Sequence, residues 1–128
     1  MATETWLDAP CDAACPVQRT ADIIEHKWAT LIVRDLLSGK KRYSELARSL
    51  SGISPKVLSE RLQEFEANRL VTRTVYPTVP PTTEYALTEL GRKLEAVIRA
   101  MQEFGLLLAG ANTMAQPTHP ADAENWRG

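Results

Sequence analysis

The chain has little of the chemistry on which small secreted or metal-binding proteins depend. It contains two cysteines and two histidines in 128 residues, and two thiols without a nearby histidine cannot fill the tetrahedral shell of a zinc site. No apolar run approaches the length of a membrane span, and the start of the chain lacks the basic and apolar blocks of a secretory signal. We therefore expect one cytoplasmic domain with reduced thiols, without a metal or a cofactor.

Catalytic motifs are also lacking. The elements that carry recognisable motifs contain no serine–histidine–aspartate set, no nucleotide-binding loop and no paired carboxylates. His26 is interpreted as a surface or packing residue, and His119 lies near the end of the chain. These absences argue against an enzyme.

The net charge gives no indication of a nucleic-acid partner, but the charge distribution does. The whole chain carries −1 at pH 7. Between Gly39 and Arg73, eight basic residues stand against four acidic ones, a local balance of +4. Because phosphate binding depends on the local patch and not on the total, this segment is a candidate surface for a polyanion.

Helical periodicity begins at Pro16, a residue type favoured in the first turn of a helix. Apolar residues recur at the spacing of one helix face as far as Leu37, and Ser38-Gly39 follows as an end signal. The pattern predicts one long helix over this range. The preceding segment, 1–14, is polar and not periodic, so we expect a poorly ordered arm there.

The next segment predicts the first helix of a helix-turn-helix. Lys41-Arg42-Tyr43 has the character of a short strand, and Ser44 is a candidate N-cap for a short helix that ends at residue 50. Ser51-Gly52 then supplies a tight turn.

A second helix follows the turn. Ser54 as the cap and Pro55 at the first helical position are a strong start signal for a helix over 54–68. Residues spaced i, i+4 and i+7 give this helix one buried face. The predicted face consists of Leu58, Leu62 and Phe65.

A two-stranded ribbon follows this helix. Residues 70–76 alternate and are rich in valine and threonine, and residues 83–87 supply a return strand. The prolines between them, Pro77, Pro80 and Pro81, do not fit a central strand and favour an extended loop. The predicted fold is a winged helix-turn-helix, mainly α with a small antiparallel β wing.

The last helix carries a wide apolar stripe. Thr88 begins it, and the prediction runs from 88 to 110, with a tail over 111–128. Its apolar residues recur at the spacing of a heptad seam, and the stripe is wider than the core of a small domain needs. We therefore predict that residues 15–110 form one domain that dimerises through this helix. The seam residues are Leu90, Leu94, Val97, Met101, Phe104 and Leu108.

The predicted fold assigns roles by position. In a helix-turn-helix the first helix crosses the DNA backbone and the second enters the major groove, so its N-terminal end meets bases or phosphates. In a dimer, two such helices about one turn of DNA apart read an inverted repeat. The predicted DNA contacts are Arg42, Ser44, Ser54, Pro55, Lys56, Ser59, Glu60, Arg61 and Arg73.

Short motifs in a fixed order suggest a family. They include Cys15-Pro16-Val17, Lys27-Trp28, Arg42-Tyr43-Ser44-Glu45-Leu46, Gly52-Ile53-Ser54, Val79-Pro80-Pro81 and Leu87-Thr88-Glu89-Leu90-Gly91. As an ordered set they resemble the HxlR-type regulators, a bacterial winged-helix family related to the MarR regulators. The resemblance extends from about Cys15 to Gly105. It implies a homodimeric DNA-binding transcription factor that represses or activates a nearby promoter.

Three positions depart from the pattern of this family. Many relatives have small or glycine residues where this chain has Glu25-His26. Relatives usually have glycine at the position of Arg69, so we expect Asn68 to adopt the left-handed conformation that ends a helix. Thr82-Thr83 follow the double proline where relatives often have arginine or lysine, which argues against a phosphate contact from the wing tip.

Cys15 is a candidate sensor. It directly precedes Pro16 at a predicted helix N-terminus, where the helix dipole favours the thiolate. The resemblance implies that this cysteine senses oxidants, quinones or aldehydes, with oxidation to a sulfenic acid or a disulfide. Cys11 is a candidate resolving thiol, within the chain or across the dimer. We expect modification to change the spacing of the two recognition helices.

Two alternatives stay open. A small apolar ligand, bound in a dimer pocket near Trp28 and residues 101–104, would control the same kind of regulator. The near-neutral charge and the wing tip without basic residues would also fit a winged-helix module that binds protein and not DNA. Steep loss of DNA binding with added salt would argue against the second alternative.

Overall fold

The computed structural model describes residues 15–114, with side chains described as far as residue 110. The helices are α1 (Pro16–Ile24), α2 (Lys27–Leu37), α3 (Tyr43–Ser49), α4 (Pro55–Ala67), α5 (Glu89–Arg92) and α6 (Glu95–Met114). The strands β1 (Lys41–Arg42), β2 (Val71–Tyr76) and β3 (Thr82–Leu87) form one antiparallel sheet in the order β1–β3–β2. The predicted architecture, mainly helical with a small antiparallel wing, is confirmed. No helix in the described range is long and apolar enough to cross a membrane.

The single helix predicted from Pro16 to Leu37 is wrong, because the chain breaks it at Glu25-His26. His26 is extended, with φ −98° and ψ 140°, and is the N-cap of α2. Its carbonyl accepts a hydrogen bond from the Ala29 N–H at 3.0 Å, which starts the new helix. Helices α1 and α2 pack on each other, so both have apolar residues at helical spacing. The periodicity of the sequence therefore does not reveal the break between them.

The first helix of the helix-turn-helix begins earlier than predicted. The Glu45 carboxylate accepts the Arg42 N–H at 2.8 Å, and Arg42 is the N-cap of α3. Ser44 is therefore inside the first turn, and its prediction as the cap is wrong. Tyr43, predicted to extend the short strand, is the first residue of this helix.

The second helix follows its prediction closely. The Ser54 hydroxyl accepts the Val57 N–H at 3.1 Å, and Pro55 occupies the first helical position of α4. The predicted face packs into the one hydrophobic core of the described residues, between α2, α3, α4 and the sheet. The core consists of Ala29, Ile32, Val33, Leu36, Leu46, Leu50, Leu58, Leu62, Phe65, Leu70, Val71, Tyr85, Leu87 and Ile98.

The end of α4 corrects the prediction for Asn68. Asn68 has φ −87°, whereas Arg69 has φ +61° and adopts the left-handed conformation itself. The Arg69 N–H donates to the Glu66 carbonyl, and the Leu70 N–H donates back to Phe65 at 2.8 Å. These two bonds form a Schellman motif, which requires the left-handed residue directly after the cap.

The helix predicted over 88–110 is interrupted. Thr88 caps α5 by accepting the Gly91 N–H at 3.0 Å, and the chain turns at Lys93 and Leu94 before α6 begins. Helix α6 extends through residues 111–114, which were predicted to belong to the tail. The heptad spacing therefore spans two helices and a turn.

The wing is a hairpin of β2 and β3 in which Val71 pairs with Leu87 and Tyr76 with Thr82. The return strand begins one residue earlier than predicted, at Thr82. The prolines lie in the loop that joins the strands, as predicted. Strand β1 pairs with the other edge of β3, so the wing is attached to the segment that leads into α3.

Candidate nucleic-acid interface

The exposed start of α4 is the centre of the candidate interface. Gly52, with φ +96°, allows the chain to reverse between α3 and α4. Ser54, Pro55 and Lys56 are all exposed, and the first turn contains no acidic residue. This helix start therefore presents the positive end of its dipole to solvent, together with one lysine, which suits an anion or a base edge.

Tyr43 connects the two helices at this end. Its hydroxyl donates to the Pro55 carbonyl at 3.2 Å and lies 3.2 Å from the Ser59 hydroxyl. The half-buried ring packs against the core. Sequence reasoning missed this residue because it placed Tyr43 in a strand. The available signal was an aromatic side chain with one polar end, at the start of a helix that faces another helix.

The basic residues around this surface fall into two groups. Within the described part of the chain, Arg42, Arg48 and Lys56 are exposed and form no ion pair, so no carboxylate competes there with an anionic partner. Another group is paired with carboxylates. These pairs are Lys40 with Glu84 at 3.8 Å, Arg61 with Glu64 at 3.2 Å and Arg73 with Glu66 at 3.9 Å.

Among the predicted DNA contacts, Arg61 has a largely buried side chain that lies next to two carboxylates. Its side chain is 13% exposed, and its guanidinium lies between the carboxylates of Glu60 and Glu64. Its Nε is buried and has no hydrogen-bond partner among the described residues. Arg61 therefore packs along the surface of α4, whereas Glu60 is half-exposed next to it.

Arg73 joins the wing to α4. It lies opposite Tyr85 in the hairpin, and its guanidinium is 3.9 Å from Glu66 on α4. Burial raises the pKa of Tyr85 above 10.0, and the nearby Arg73 opposes that rise. Arg73 thus links β2 to α4 by a half-exposed ion pair. Ser44 is exposed in the first turn of α3.

The wing tip offers hydroxyl and apolar groups but no cation. Residues 77–83 contain no basic residue. Val79 is fully exposed, and the hydroxyls of Thr78 and Thr82 hydrogen-bond across the loop. Below the tip, the Tyr76 hydroxyl donates to Glu84 at 2.9 Å, and this hydrogen bond raises the pKa of Tyr76. Both phenols of the wing are therefore neutral at physiological pH.

Cys15 is the N-cap residue of α1 and is half-buried. Its carbonyl accepts the Arg19 N–H at 3.0 Å, so the cysteine is part of the first helical turn. Helix α1 packs on α2. Cys11, the predicted resolving thiol, lies outside the described residues, as does His119.

The predicted seam, which spans α5, the turn after it and α6, is largely exposed. Leu90, Met101, Phe104 and Leu108 are exposed, with Phe104 at 61%, whereas Leu94 and Val97 are half-buried. Ile98 is buried and packs α6 against the core. Sequence reasoning left Leu106 out of the stripe, although it is 66% exposed. Helix α6 therefore has one side on its own domain and a broad apolar surface in solvent.

Grooves flank α2 on more than one side, and two of them bear on the predicted ligand pocket. One, of about 340 Å³, lies between α2 and α6 and is lined by Leu31, Arg34, Met101 and other residues. The other, of about 350 Å³, is lined by Trp28 and by the turn of the helix-turn-helix. Trp28 and Met101 thus line separate grooves. Among the residues that the structure describes, no three metal-ligating side chains cluster.

The chain matches known regulators over most of its length. Residues 23–112 match the family model described as HxlR-like helix-turn-helix. The HTH-type transcriptional regulator YybR of Bacillus subtilis is 42% identical over 96 residues, which cover 75% of this chain and 77% of YybR. A MarR-family transcriptional regulator from Porphyromonas gingivalis W83 is similar in structure, with a TM-score of 0.74 and 37% identity over 77% of this chain and 96% of that one. The redox regulator HypR in its oxidized form has a TM-score of 0.67 and 43% identity over 71% of this chain and 94% of that one.

Proposed function

The chain belongs to the HxlR-like helix-turn-helix family of transcriptional regulators, and from this premise we propose that it binds an inverted-repeat operator as a homodimer. The family is not a class of enzymes. A regulator of this kind acts on the chromosome, which is in the cytoplasm of a bacterial cell. The observation that carries the proposal is the exposed, capped start of α4, with no acidic residue in its first turn.

The proposed contacts divide by the part of the DNA that they meet. Ser54, Pro55, Lys56, Ser59 and Glu60, on the first turns of α4, face the major groove. The residues proposed to contact the DNA phosphate backbone are Arg42, Ser44, Arg61 and, at the base of the wing, Arg73. Arg42 and Lys56 have no competing ion pair among the described residues, whereas Arg61 must leave Glu64 to reach a phosphate. We therefore expect Arg42 and Lys56 to contribute most of the counterion release.

The dimer is proposed to form through α6 and the turn before it. The exposed apolar residues of the seam are too many for an isolated surface helix, and a second copy of the chain would cover them. A homodimer also gives the two recognition helices that an inverted repeat requires.

Control by thiol chemistry is the finer part of the proposal. Cys15 lies at the start of α1, where the dipole stabilises a thiolate. The similarity to HypR, described as a redox regulator, supports this role. An oxidant, a quinone or an aldehyde would modify Cys15 and shift α1 and α2, which would change the distance between the recognition helices. Cys11 is the proposed resolving thiol.

A gel-shift titration tests the proposal. Reduced protein is titrated against the DNA upstream of its own gene and against shuffled DNA of the same length, before and after mild oxidant. We expect specific binding that changes on oxidation, and the change should be lost in Cys15→Ser but kept in an exposed-surface control such as Ser51→Ala. An unchanged oxidant response in Cys15→Ser would refute the sensing role.

The salt dependence of binding tests the DNA interface itself. Lys56→Ala should weaken binding to all sequences and reduce the slope of log affinity against log salt by about 1. Arg19→Ala, which removes an exposed cation on α1, a helix without proposed DNA or seam contacts, serves as the control and should leave the slope unchanged. Absence of specific and salt-dependent binding would favour a module that binds protein.

A ligand in the groove between α2 and α6 is the second candidate for control. The groove combines apolar walls with Arg34, and both helices that line it would move with the dimer interface. Oxidation-independent release of the operator by a small apolar compound, abolished by Thr30→Trp, which fills the groove from α2 and leaves the seam residues unchanged, would favour this candidate over the thiol.

A further inference from the structure

The hydroxyl of Tyr43 takes part in two hydrogen bonds with α4. It lies 3.2 Å from the Pro55 carbonyl and 3.2 Å from the Ser59 hydroxyl. A phenol has one proton to donate and lone pairs to accept with, whereas a carbonyl oxygen only accepts. In the bond between Tyr43 and Pro55, only the phenol has a proton, so the Tyr43 hydroxyl donates to the Pro55 carbonyl.

The position of this proton determines the direction of the second bond. Since the Tyr43 proton is used by Pro55, the bond between Tyr43 and Ser59 requires the proton of Ser59. Ser59 donates, and the phenol oxygen accepts. The remaining capacity of the Ser59 oxygen is its lone pairs, which can only accept a hydrogen bond from a further partner.

Ser59 occupies the second turn of α4, the proposed recognition helix, and the residue is half-buried, so it is not closed off from solvent. Serine normally matches donors and acceptors alike, because its hydroxyl rotates to suit the partner. In the major groove, the amino groups of adenine and cytosine are donors, whereas guanine and thymine present acceptors.

We propose that Tyr43 is a positioning residue for specificity, which turns Ser59 into an acceptor-only group that selects a base with an exposed amino group, adenine or cytosine. This inference rests on the proposed DNA-binding function. Tyr43 itself does not meet the DNA. It acts by fixing the Ser59 hydroxyl and by joining the start of α3 to the first turn of α4.

The test is selection of binding sites from a random DNA library, followed by affinity measurements. Wild type, Tyr43→Phe, Ser59→Ala and the double variant are compared, and Tyr76→Phe serves as a control that removes a phenol on the wing. The position at which Ser59→Ala loses its preference identifies the Ser59 contact. Wild type should select adenine or cytosine there, by about three- to tenfold over guanine and thymine, as expected for one hydrogen bond.

Tyr43→Phe should relax that one position by a similar factor and leave the rest of the motif and the salt slope unchanged. The double variant should lose no more than Ser59→Ala does, because the two residues act as one unit. Tyr76→Phe should select the wild-type motif. A simple weakening of the fold would reduce affinity for all sequences and would not change one position alone.

Three results would overturn the inference. They are a Tyr43→Phe motif identical to the wild-type motif, a preference for guanine or thymine at the Ser59 position, and no position that responds to Ser59→Ala. A wild type that selects no motif at all would instead refute the DNA-binding function. If Tyr43→Phe does not fold, the affinity of wild type is measured for DNA with a base analogue that lacks the amino group at the Ser59 position. This DNA should bind wild type more weakly but bind Ser59→Ala as well as the unmodified DNA does.

Discussion

Replacing Gly91 with alanine should destabilise the protein, because α5 lies directly on the backbone at the start of the wing. A Cβ at this position would lie 2.1 Å from the Leu70 carbonyl oxygen and 3.0 Å from Leu87 Cδ2. Real Cβ atoms essentially never lie closer than 3.0 Å to such a neighbour, so α5 and the backbone of Leu70 would have to move apart by about 1 Å. The backbone carbonyl cannot rotate away as a flexible side chain could.

The hydrogen bonds at this position set the magnitude of the loss. The Leu70 carbonyl accepts the Thr88 N–H at 2.9 Å, and the Thr88 hydroxyl donates to Arg69 at 2.7 Å while it accepts the Gly91 N–H at 3.0 Å. Overpacking costs about 1–3 kcal/mol and each lost hydrogen bond about 1 kcal/mol, so we expect a destabilisation of about 2–4 kcal/mol. The Tm should fall by about 10–20 °C.

Thermal and urea unfolding at one fixed protein concentration measure this effect. Gly105→Ala is the matched control, because this glycine is also helical and its added Cβ would meet nothing within 4 Å. An exposed helical glycine replaced by alanine should gain about 0.5–1 kcal/mol. If Gly91→Ala unfolded at the same temperature as wild type, the close approach of α5 to the Leu70 backbone would be wrong.

Three further predictions follow from single residues. Arg69→Gly should raise the free energy of unfolding by about 0.5–1 kcal/mol, because arginine at φ +61° pays a steric cost that glycine avoids; equal stability in urea would contradict the left-handed turn. Phe104→Glu should weaken the proposed dimer at least about tenfold without unfolding the protomer, since the ring is 61% exposed. Sedimentation would measure this, with Glu103→Ala as the control, and an unchanged mass would exclude Phe104 from the interface. Burial raises the pKa of Tyr85 above 10.0, so its contribution to stability is present below pH 10.0 and is lost as pH rises through the folded pKa. Tyr85→Phe should make the alkaline loss of stability less steep, and an identical pH profile would refute this.

Local signals in the sequence were sufficient for the helix that defines the interface. A serine cap, a proline at the first position and apolar residues at i, i+4 and i+7 all act within about two turns of chain, so Ser54, Pro55 and Leu58 could be assigned without knowledge of the fold. The wing followed for the same reason, since prolines between two alternating segments favour a hairpin loop.

The features that could not be predicted depend on contacts between distant segments. The interruption after Gly91 occurs where α5 lies directly on the Leu70 backbone, which no periodicity reports. The left-handed residue is Arg69 and not Asn68, because the Schellman bonds from Arg69 and Leu70 fix which position must be left-handed. Tyr43 could be recognised only when α3 and α4 were brought together, because its partners lie twelve and sixteen residues further along the chain.

Helix α2 is the element through which a change at Cys15 would have to reach the DNA. It packs against α1, α3, α4, α6 and β3, and four of its side chains, Ala29, Ile32, Val33 and Leu36, are buried in the core. Because protein interiors are close-packed, a helix with such a buried face moves as a body rather than by local adjustment. A displacement of α1 would therefore be passed both to α6, which carries the proposed dimer seam, and to α3 and α4, which carry the proposed DNA contacts. The break at Glu25-His26 ends α1 before α2 begins, so the two helices are coupled through the side chains that pack between them as well as through the backbone. In the proposed switch, a modification at Cys15 would therefore have to change this packing in order to displace α2.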